Sequence, residues 1–281
     1  MEHINWYPGH MAKTKRLISE NLKSVDIVLE VIDARIVKSS KNNDIDEIIC
    51  NKKRLILINK SDIADPAVTK KWLEYYENQG IPALSIQSNK SGGGAPIFHK
   101  VKSILSELLK QRENKSIVGK SIKMMVLGVP NVGKSSLINM LAGIKRAKVE
   151  DRPGVTRGKQ WITLENGFDL LDMPGILQPK LDGEFQGFNL SATGAIKDTI
   201  LDTDFIAASL AVFLKNEYKD LLCNRYKLAD VNTDNGYEIL EMIGKKRGFI
   251  ISGGEIDIDR TSKIFLDEFR SGIIGRISLE K

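Results

Sequence analysis

The stretch Gly128-Val129-Pro130-Asn131-Val132-Gly133-Lys134-Ser135-Ser136 sets two glycines, a lysine and a hydroxyl at the spacing G-x-x-x-x-G-K-[ST]. An apolar run, 123–129, leads into it and a helix-forming run, 134–143, leads out. A chance Gly-rich turn needs no such strand, loop and helix in register. The backbone N–H groups of residues 131–136 converge there on a helix N-terminus and form an anion cradle. Lys134 sets a cation on the β- and γ-phosphates of a nucleotide, and Ser135 a hydroxyl on Mg²⁺. About 40 residues on, Asp172-Met173-Pro174-Gly175 closes a second apolar run. There Asp172 holds Mg²⁺ through water and the Gly175 N–H meets the γ-phosphate. Between them, Thr156 in "DRPGVTRG" has the position of a switch residue, with its hydroxyl for Mg²⁺ and its backbone for the γ-phosphate. Thr156 is anonymous by itself; its spacing carries the reading.

Which base the site takes is read from Asn59-Lys60-Ser61-Asp62, at the end of another apolar run. An Asp carboxylate accepts two hydrogens from guanine N1 and N2, and adenine offers no such pair. Asp62 therefore selects GTP over ATP, while Asn59 and the stem of Lys60 brace base and loop. A little under 30 residues later, Gln87, Ser88 and Asn89 supply a second loop for the base. The order is unusual. The base-reading segments come before the phosphate loop, the reverse of an ordinary GTPase. Since every part is present, circular permutation accounts for the order, and termini that lie close together in a compact domain make it topologically cheap.

The elements that must position these loops follow from hydrophobic pattern. "SVDIVLEVIDA" (24–34), "RLILINK" (54–60), "IPALSI" (81–86) and "KMMVLGV" (123–129) are short Ile-, Leu- and Val-rich runs, as in buried parallel strands. "KQWITL" (159–164) and "FDLLDM" (168–173) read as a hairpin turning at "ENG". Helix-length stretches separate the strands. One covers 42–51, and another, 65–79, starts with Asp65 as cap and Pro66 in its first turn. The apolar spacing over 95–113 predicts a single amphipathic helix. After residue 190 the strand signal fades. "TGAIKDTI" and the runs starting at 203, 236 and 259 are helical in pattern.

The expected fold is thus an α/β P-loop domain, circularly permuted, with a mostly parallel sheet carrying helices on both faces, followed by an all-α domain. The expected boundaries are an N-terminal segment and helix over 1–24, the GTPase domain over 25–180 and the helical domain over 190–281.

Charge narrows the partners only a little. Lys and Arg outnumber Asp and Glu by 21 to 14 over residues 1–125, by 8 to 7 over 126–189, and fall short by 13 to 15 over 190–281. A basic surplus in the first half permits a polyanion partner without demanding one, and from charge alone a solvated face is the preferred reading. Cys50 and Cys223, far apart in apolar or helix-forming contexts, read as buried free thiols of a reducing compartment. The polar start and the shortness of the longest apolar stretch, 205–214, lead us to expect a cytoplasmic protein with neither a signal peptide nor a membrane span.

Taken together, "WYPGHMAK", "VIDAR", "NKSD", "GVPNVGKSS", "RPGVTR", "DMPGIL", "TGAIKD" and "KRGFIISGG" resemble the circularly permuted GTPases of the YlqF/RbgA group, nearly end to end. The first and last of these are particular to that group. Met173 is a small departure, since Thr is common there. The resemblance implies a bacterial GTPase that acts late in assembly of the large ribosomal subunit, its turnover stimulated by the particle. Its partner would be a precursor of that subunit, rRNA and proteins included, with no DNA expected and a monomer in the free state.

Residue 176, where many GTPases carry a water-orienting Gln, is Ile. For this group the resemblance implies that His10 serves hydrolysis once the partner folds the N-terminus inward; the other reading of His10 is a helix-start residue. It also suggests Asn131 as a K⁺ ligand, against a merely loop-shaping Asn. Lys13, Lys15, Arg16 and Lys23, with "KKRG" (245–248) and "SGG" (252–254), are candidates for rRNA phosphates or simply solvated faces. The permutation joins the γ-phosphate-sensing segment directly to the helical domain through residues 175–191, so loss of the γ-phosphate could reorient that domain. The rival function is a nucleotide-gated protein-binding switch with negligible hydrolysis, which Ile176 favours. A generic ATPase is opposed by "NKSD".

Overall fold

The computed structural model describes residues 8–90, 92–115, 119–143, 160–164, 167–177, 183–196 and 202–281. Strands β1 (Ile27–Asp33), β2 (Arg54–Asn59), β3 (Ala83–Ser85), β4 (Ile122–Leu127), β5 (Gln160–Leu164) and β6 (Phe168–Asp172) form one six-stranded sheet. Their order is β3-β2-β1-β4-β6-β5, with every neighbouring pair parallel except the β5–β6 hairpin at the edge. The strands are apolar on both faces because both faces are covered. Leu29, Val31, Leu55, Leu57, Met124, Val126 and Leu170 face one core. Alternate residues Val28, Met125, Leu127 and Leu171 face a second, and Ile32, Ile56 and Ile58 a third. That is the period-two pleat of a strand.

Before and between the strands run α1 (Pro8–Leu22), α2 (Val37–Ser40), α3 (Asn43–Ile49), α4 (Pro66–Asn78), α5 (Ala95–Ile104), α6 (Ser106–Asn114) and α7 (Lys134–Ala142). Asp65 caps α4 by accepting from Ala67 N and Val68 N, with Pro66 in the first turn. The short helix α2, four residues long, has no periodic signal in the sequence. The single helix expected over 95–113 is two: at Leu105 the backbone leaves helical geometry (φ −97°, ψ 13°). Ile97, Val101 and Leu105 are buried, whereas α6 buries no residue fully. The periodicity ran on across a break that only the backbone reveals. Cys50 is exposed and Cys223 half-buried, which corrects the expectation of two buried thiols; neither is in a disulfide.

Beyond β6 the described chain is helical apart from an isolated bridge between Ile250 and Ile256. Helices α8 (Glu184–Ala192), α9 (Thr203–Glu217), α10 (Lys219–Tyr226), α11 (Gly236–Arg247) and α12 (Ile258–Arg270) pack around Ile206, Leu210, Ile239, Leu240, Phe265 and Phe269. Their apolar interior is continuous with the core on one face of the sheet. The run starting at 203 divides at Tyr218, and of "TGAIKDTI" residues 193–196 are turn, with the rest outside the described residues.

One buried ion pair joins the sheet to these helices. Asp33, the last residue of β1, receives Arg35 Nε on Oδ1 (3.0 Å) and Arg35 Nη2 on Oδ2 (2.7 Å). Lys60 Nζ lies 3.1 Å from Oδ2. Burial alone would push the carboxyl up; the Arg35 and Lys60 charges outweigh it and hold Asp33 far below the usual carboxylate range. Arg35 also donates to the Arg270 carbonyl (3.3 Å), lies over the Phe269 ring, and accepts Leu279 N–H on its own carbonyl (2.8 Å).

Asp33→Asn leaves the Arg35 cation buried without its counter-charge. We expect it to lower unfolding free energy by about 3 kcal/mol at pH 7, measured by denaturant titration. Because the folded-state pKa is depressed, the wild-type contribution is complete above about pH 4 and fades as pH falls below it. The difference between the two proteins is therefore flat from pH 8 to pH 5.

Candidate nucleotide site

The phosphate loop connects β4 to α7. Gly128 takes φ +151°, and a Cβ there would fall on the Val31 carbonyl of the neighbouring strand. Gly133, the residue before α7, is left-handed at φ +95°. A Cβ on it would fall on Asn59 Nδ2, so this position needs glycine for both conformation and space. Asn131 is also left-handed, at φ +57°, a region that Asn tolerates. The loop wraps Lys134, which is buried and donates from Nζ to the carbonyls of Gly128 (3.1 Å) and Val129 (2.9 Å). Burial brings its ammonium down to about 8, and Asp172 acts in the opposite direction. Val132 is buried; Ser135 and Ser136 are half-buried in the first turn of α7.

Asp172 ends β6 in register with Val126 of β4 and is buried beside this loop. The segment after it lies against the loop. Ile176 N–H donates to the Gly128 carbonyl (3.2 Å), and a Cβ on Gly175 would stand 3.0 Å from both Lys134 Nζ and Pro130 N. Hydroxyl and carboxylate oxygens with a lysine nearby are the donor set that a Mg²⁺-triphosphate requires, so Ser135 and Asp172 fit that ion. Ile176 itself is buried with Ile18 of α1, Ile45 and Ile49 of α3, and Met173, and its carbonyl accepts from Asn42 Nδ2 (3.2 Å). It is a core residue that ties the Asp172–Gly175 segment to α1 and α3.

The loops at 59–62 and 87–89, expected to read the base, reach the same place from the far side of β1. Asn59, fully buried at the end of β2, donates from Nδ2 to Ser88 Oγ (2.9 Å) and to the Val132 carbonyl (2.7 Å). Its Oδ1 accepts Ser88 N–H (3.0 Å). One amide thus holds the loops at 59–62, 87–89 and 128–134 together. Lys60 is left-handed (φ +61°) with Nζ directed at Asp33. Ser61 Oγ donates to the Ile86 carbonyl (3.0 Å), and Asn89 Nδ2 to Asp62 Oδ2 (2.9 Å). Asp62 is half-buried; Gln87 and Asn89 are exposed.

The sequence-selected residues at 59–62, 87–89, 131–136, 172 and 175 are therefore gathered at the carboxyl ends of adjacent parallel strands, where open α/β sheets bind ligands. Thr156 lies outside the described residues. The His10 backbone is in the first turn of α1, and its side chain lies outside them.

Sequence reasoning missed three features: the Asp33–Arg35 pair, the grip of Arg276 on the base loop, and the bond from Asn131 Nδ2 to the Gly194 carbonyl (2.7 Å). A carboxylate ending an apolar strand, with Arg two residues on, was a visible signal for the first. The other two join residues more than 60 positions apart and have no local signature.

A family profile described as 50S ribosome-binding GTPase matches residues 123–242. A ribosome biogenesis GTPase A of Priestia megaterium is 46% identical over 278 residues, covering 99% of this chain and 96% of that protein. The Thermotoga maritima protein of the same name is 33% identical over 280 residues, covering 99% and 94%. Among solved structures, the GNP-bound YlqF of T. maritima superposes with a TM-score of 0.64 at 31% identity, covering 96% of this chain and 98% of that one. With the phosphate loop, the base loops and the sheet order agreeing with end-to-end similarity of this degree, the chain is a GTPase and belongs to the ribosome biogenesis GTPase A family.

Proposed function

We propose that this GTPase is a cytoplasmic factor acting late in assembly of the bacterial large ribosomal subunit, with turnover stimulated by the particle. The observation that carries the reading is the convergence on Asn59 of the base loops and the phosphate loop. The names of the relatives supply the ribosomal context.

In this reading GTP lies across the loop ends. Asp62 accepts N1–H and N2–H of guanine on its two oxygens, with Asn89 Nδ2 also donating to Oδ2 and steadying the carboxylate, while Lys60, Ser61, Gln87 and Ser88 shape the base slot. Backbone N–H groups of 131–136 and the Lys134 ammonium hold the α-, β- and γ-phosphates, and Gly175 N–H meets the γ-phosphate. Ser135, Asp172 and Thr156 would hold Mg²⁺, which would supply positive charge to the phosphate oxygens. Asn131 offers its carbonyl oxygen to K⁺ while its amide nitrogen is engaged by Gly194. His10 orients the attacking water, a task that the buried aliphatic Ile176 cannot perform. Because α1 packs on Ile176 through Ile18, a partner that moves α1 also moves His10 relative to the γ-phosphate segment.

Two faces suit the particle. On α1 and the turn after it, Lys13, Arg16 and Lys23 are exposed, although Arg16 pairs with Glu20 and Lys15 is directed to Asp44. At the end of α11, Lys245 and Lys246 stand exposed beside the exposed side chains of Ile250 and Ile251, which offers rRNA phosphates a cationic and apolar edge. The rival reading, a binding switch with negligible hydrolysis, is favoured by the burial of Ile176.

Turnover separates the two. In KCl, large subunits should raise GTP hydrolysis at least about tenfold, and His10→Ala should abolish that rise while leaving GTP affinity intact. A wild-type rate unchanged by the particle would leave the switch reading. NaCl in place of KCl should slow the stimulated rate.

Base recognition has its own test. Xanthine carries an acceptor where guanine carries its N2 donor. Asp62→Asn should therefore reverse the preference from GDP to XDP, by about tenfold or more in competition binding.

A third expectation comes from Lys134. Its ammonium is half-titrated at about 8 in the free protein and gains a phosphate counter-charge on binding, so binding takes up a proton near that pH. GDP affinity should be flat below pH 7 and fall about tenfold between pH 7 and 9. Lys134→Met, measured the same way, should bind weakly with no such slope.

A further inference from the structure

The segment 272–280 returns from the helical part of the chain to the base loop. Gly272, left-handed at φ +74°, packs so closely on Ile63 that a Cβ would fall on its side chain. Arg276 then donates from Nη2 to the Ser61 carbonyl (2.9 Å) and from Nε to the Ala64 carbonyl (3.0 Å). Next, Ile277 N–H donates to the Ile63 carbonyl (3.0 Å), and Ser278 Oγ accepts from Asp65 N–H (3.2 Å). On its inner side the same loop is held by Asn59, by Lys60 at Asp33 and by Ser61 at Ile86. The outer side of the turn that presents Asp62 is thus set by residues more than 200 positions away.

The planar guanidinium bridges the first and last carbonyls of the 61–64 turn, which fixes the span of that turn and the direction in which Asp62 leaves it. We propose that Arg276 is a positioning residue for base specificity: it sets the Asp62 carboxylate so that both oxygens can serve the N1 and N2 hydrogens of guanine. This rests on the reading of Asp62 as the guanine-contacting residue. Arg276 is itself exposed, so replacing it opens no cavity.

The experiment compares GDP with IDP, which lacks the N2 amino group, by competition against a fluorescent GDP. Wild type, Arg276→Ala and Arg276→Lys are measured in the full chain, with thermal midpoints recorded alongside. Arg276→Ala should weaken GDP about tenfold and IDP far less, so that the GDP-to-IDP preference falls at least about threefold. Arg276→Lys, which keeps the charge and reaches one carbonyl, should recover part of the preference. Equal weakening of GDP and IDP, or no change in either, overturns the proposal. If Arg276→Ala does not fold, the preference in Arg276→Lys decides by the same criterion. Failure of the underlying reading looks different. Asp62→Asn would then not reverse the GDP-to-XDP preference, and the proposal falls with it. A reversed preference with an unchanged Arg276→Ala ratio refutes only the positioning role.

Discussion

A carboxylate at the end of a central strand cannot stay ionised in an apolar interior unless cations are brought to it, and Asp33 is such a carboxylate. Removing one partner of a buried pair typically costs about 3–5 kcal/mol, a large share of any domain's stability, so what holds Arg35 in place is held firmly. Arg35 is held by the Arg270 carbonyl, the Phe269 face and the chain at Leu279. Lys60, the second cation, belongs to the base loop. Neutralising one side chain thus joins the sheet, the last helices and the nucleotide site. Glu280 reinforces the join. Its buried carboxylate accepts from Lys38 N, Ser39 N, Ser39 Oγ and Asn189 Nδ2, tying α2 and α8 to the segment after α12.

The sheet and the phosphate loop were legible because their signals are local. Apolar runs such as "RLILINK" admit little but a doubly covered strand, and "GVPNVGKSS" takes its meaning from the strand before it and the helix after it. The reversed order of "NKSD" and "GVPNVGKSS" was likewise visible, and the structure brings Asn59 to Val132 as permutation requires. Leu105 and Tyr218 broke helices whose periodicity continues across them, because period alone does not report a single residue's φ and ψ. The burial of Ile176 was not legible either. An aliphatic residue after D-x-x-G reads as a missing catalytic group, and its place against α1 and α3 requires the tertiary structure.

The permutation has a consequence at the level of hydrogen bonds. The phosphate loop touches the helical part of the chain through Asn131 Nδ2 and the Gly194 carbonyl. The base loop touches the segment after α12 through Arg276. Arg270 ties the end of α8, next to Gly194, to Arg35, since its Nη2 donates to the Ser191 carbonyl, its Nε to the Ala192 carbonyl, and its own carbonyl accepts from Arg35. The loops at 59–64 and at 128–134 are therefore both hydrogen-bonded to the part of the chain beyond β6.

The two clamps differ in what it takes to open them. Arg35 is buried against a buried carboxylate, and separating them leaves both charges without water, so this link does not cycle at physiological pH. Arg276 is exposed and bonds neutral carbonyls that water can serve in its place, for a net difference of about 1 kcal/mol per bond. A partner that engages the segment around Arg276 can offer the guanidinium a phosphate or carboxylate, which binds it more strongly than a carbonyl does. The base loop would then lose its outer support while the Asp33 anchor stays closed.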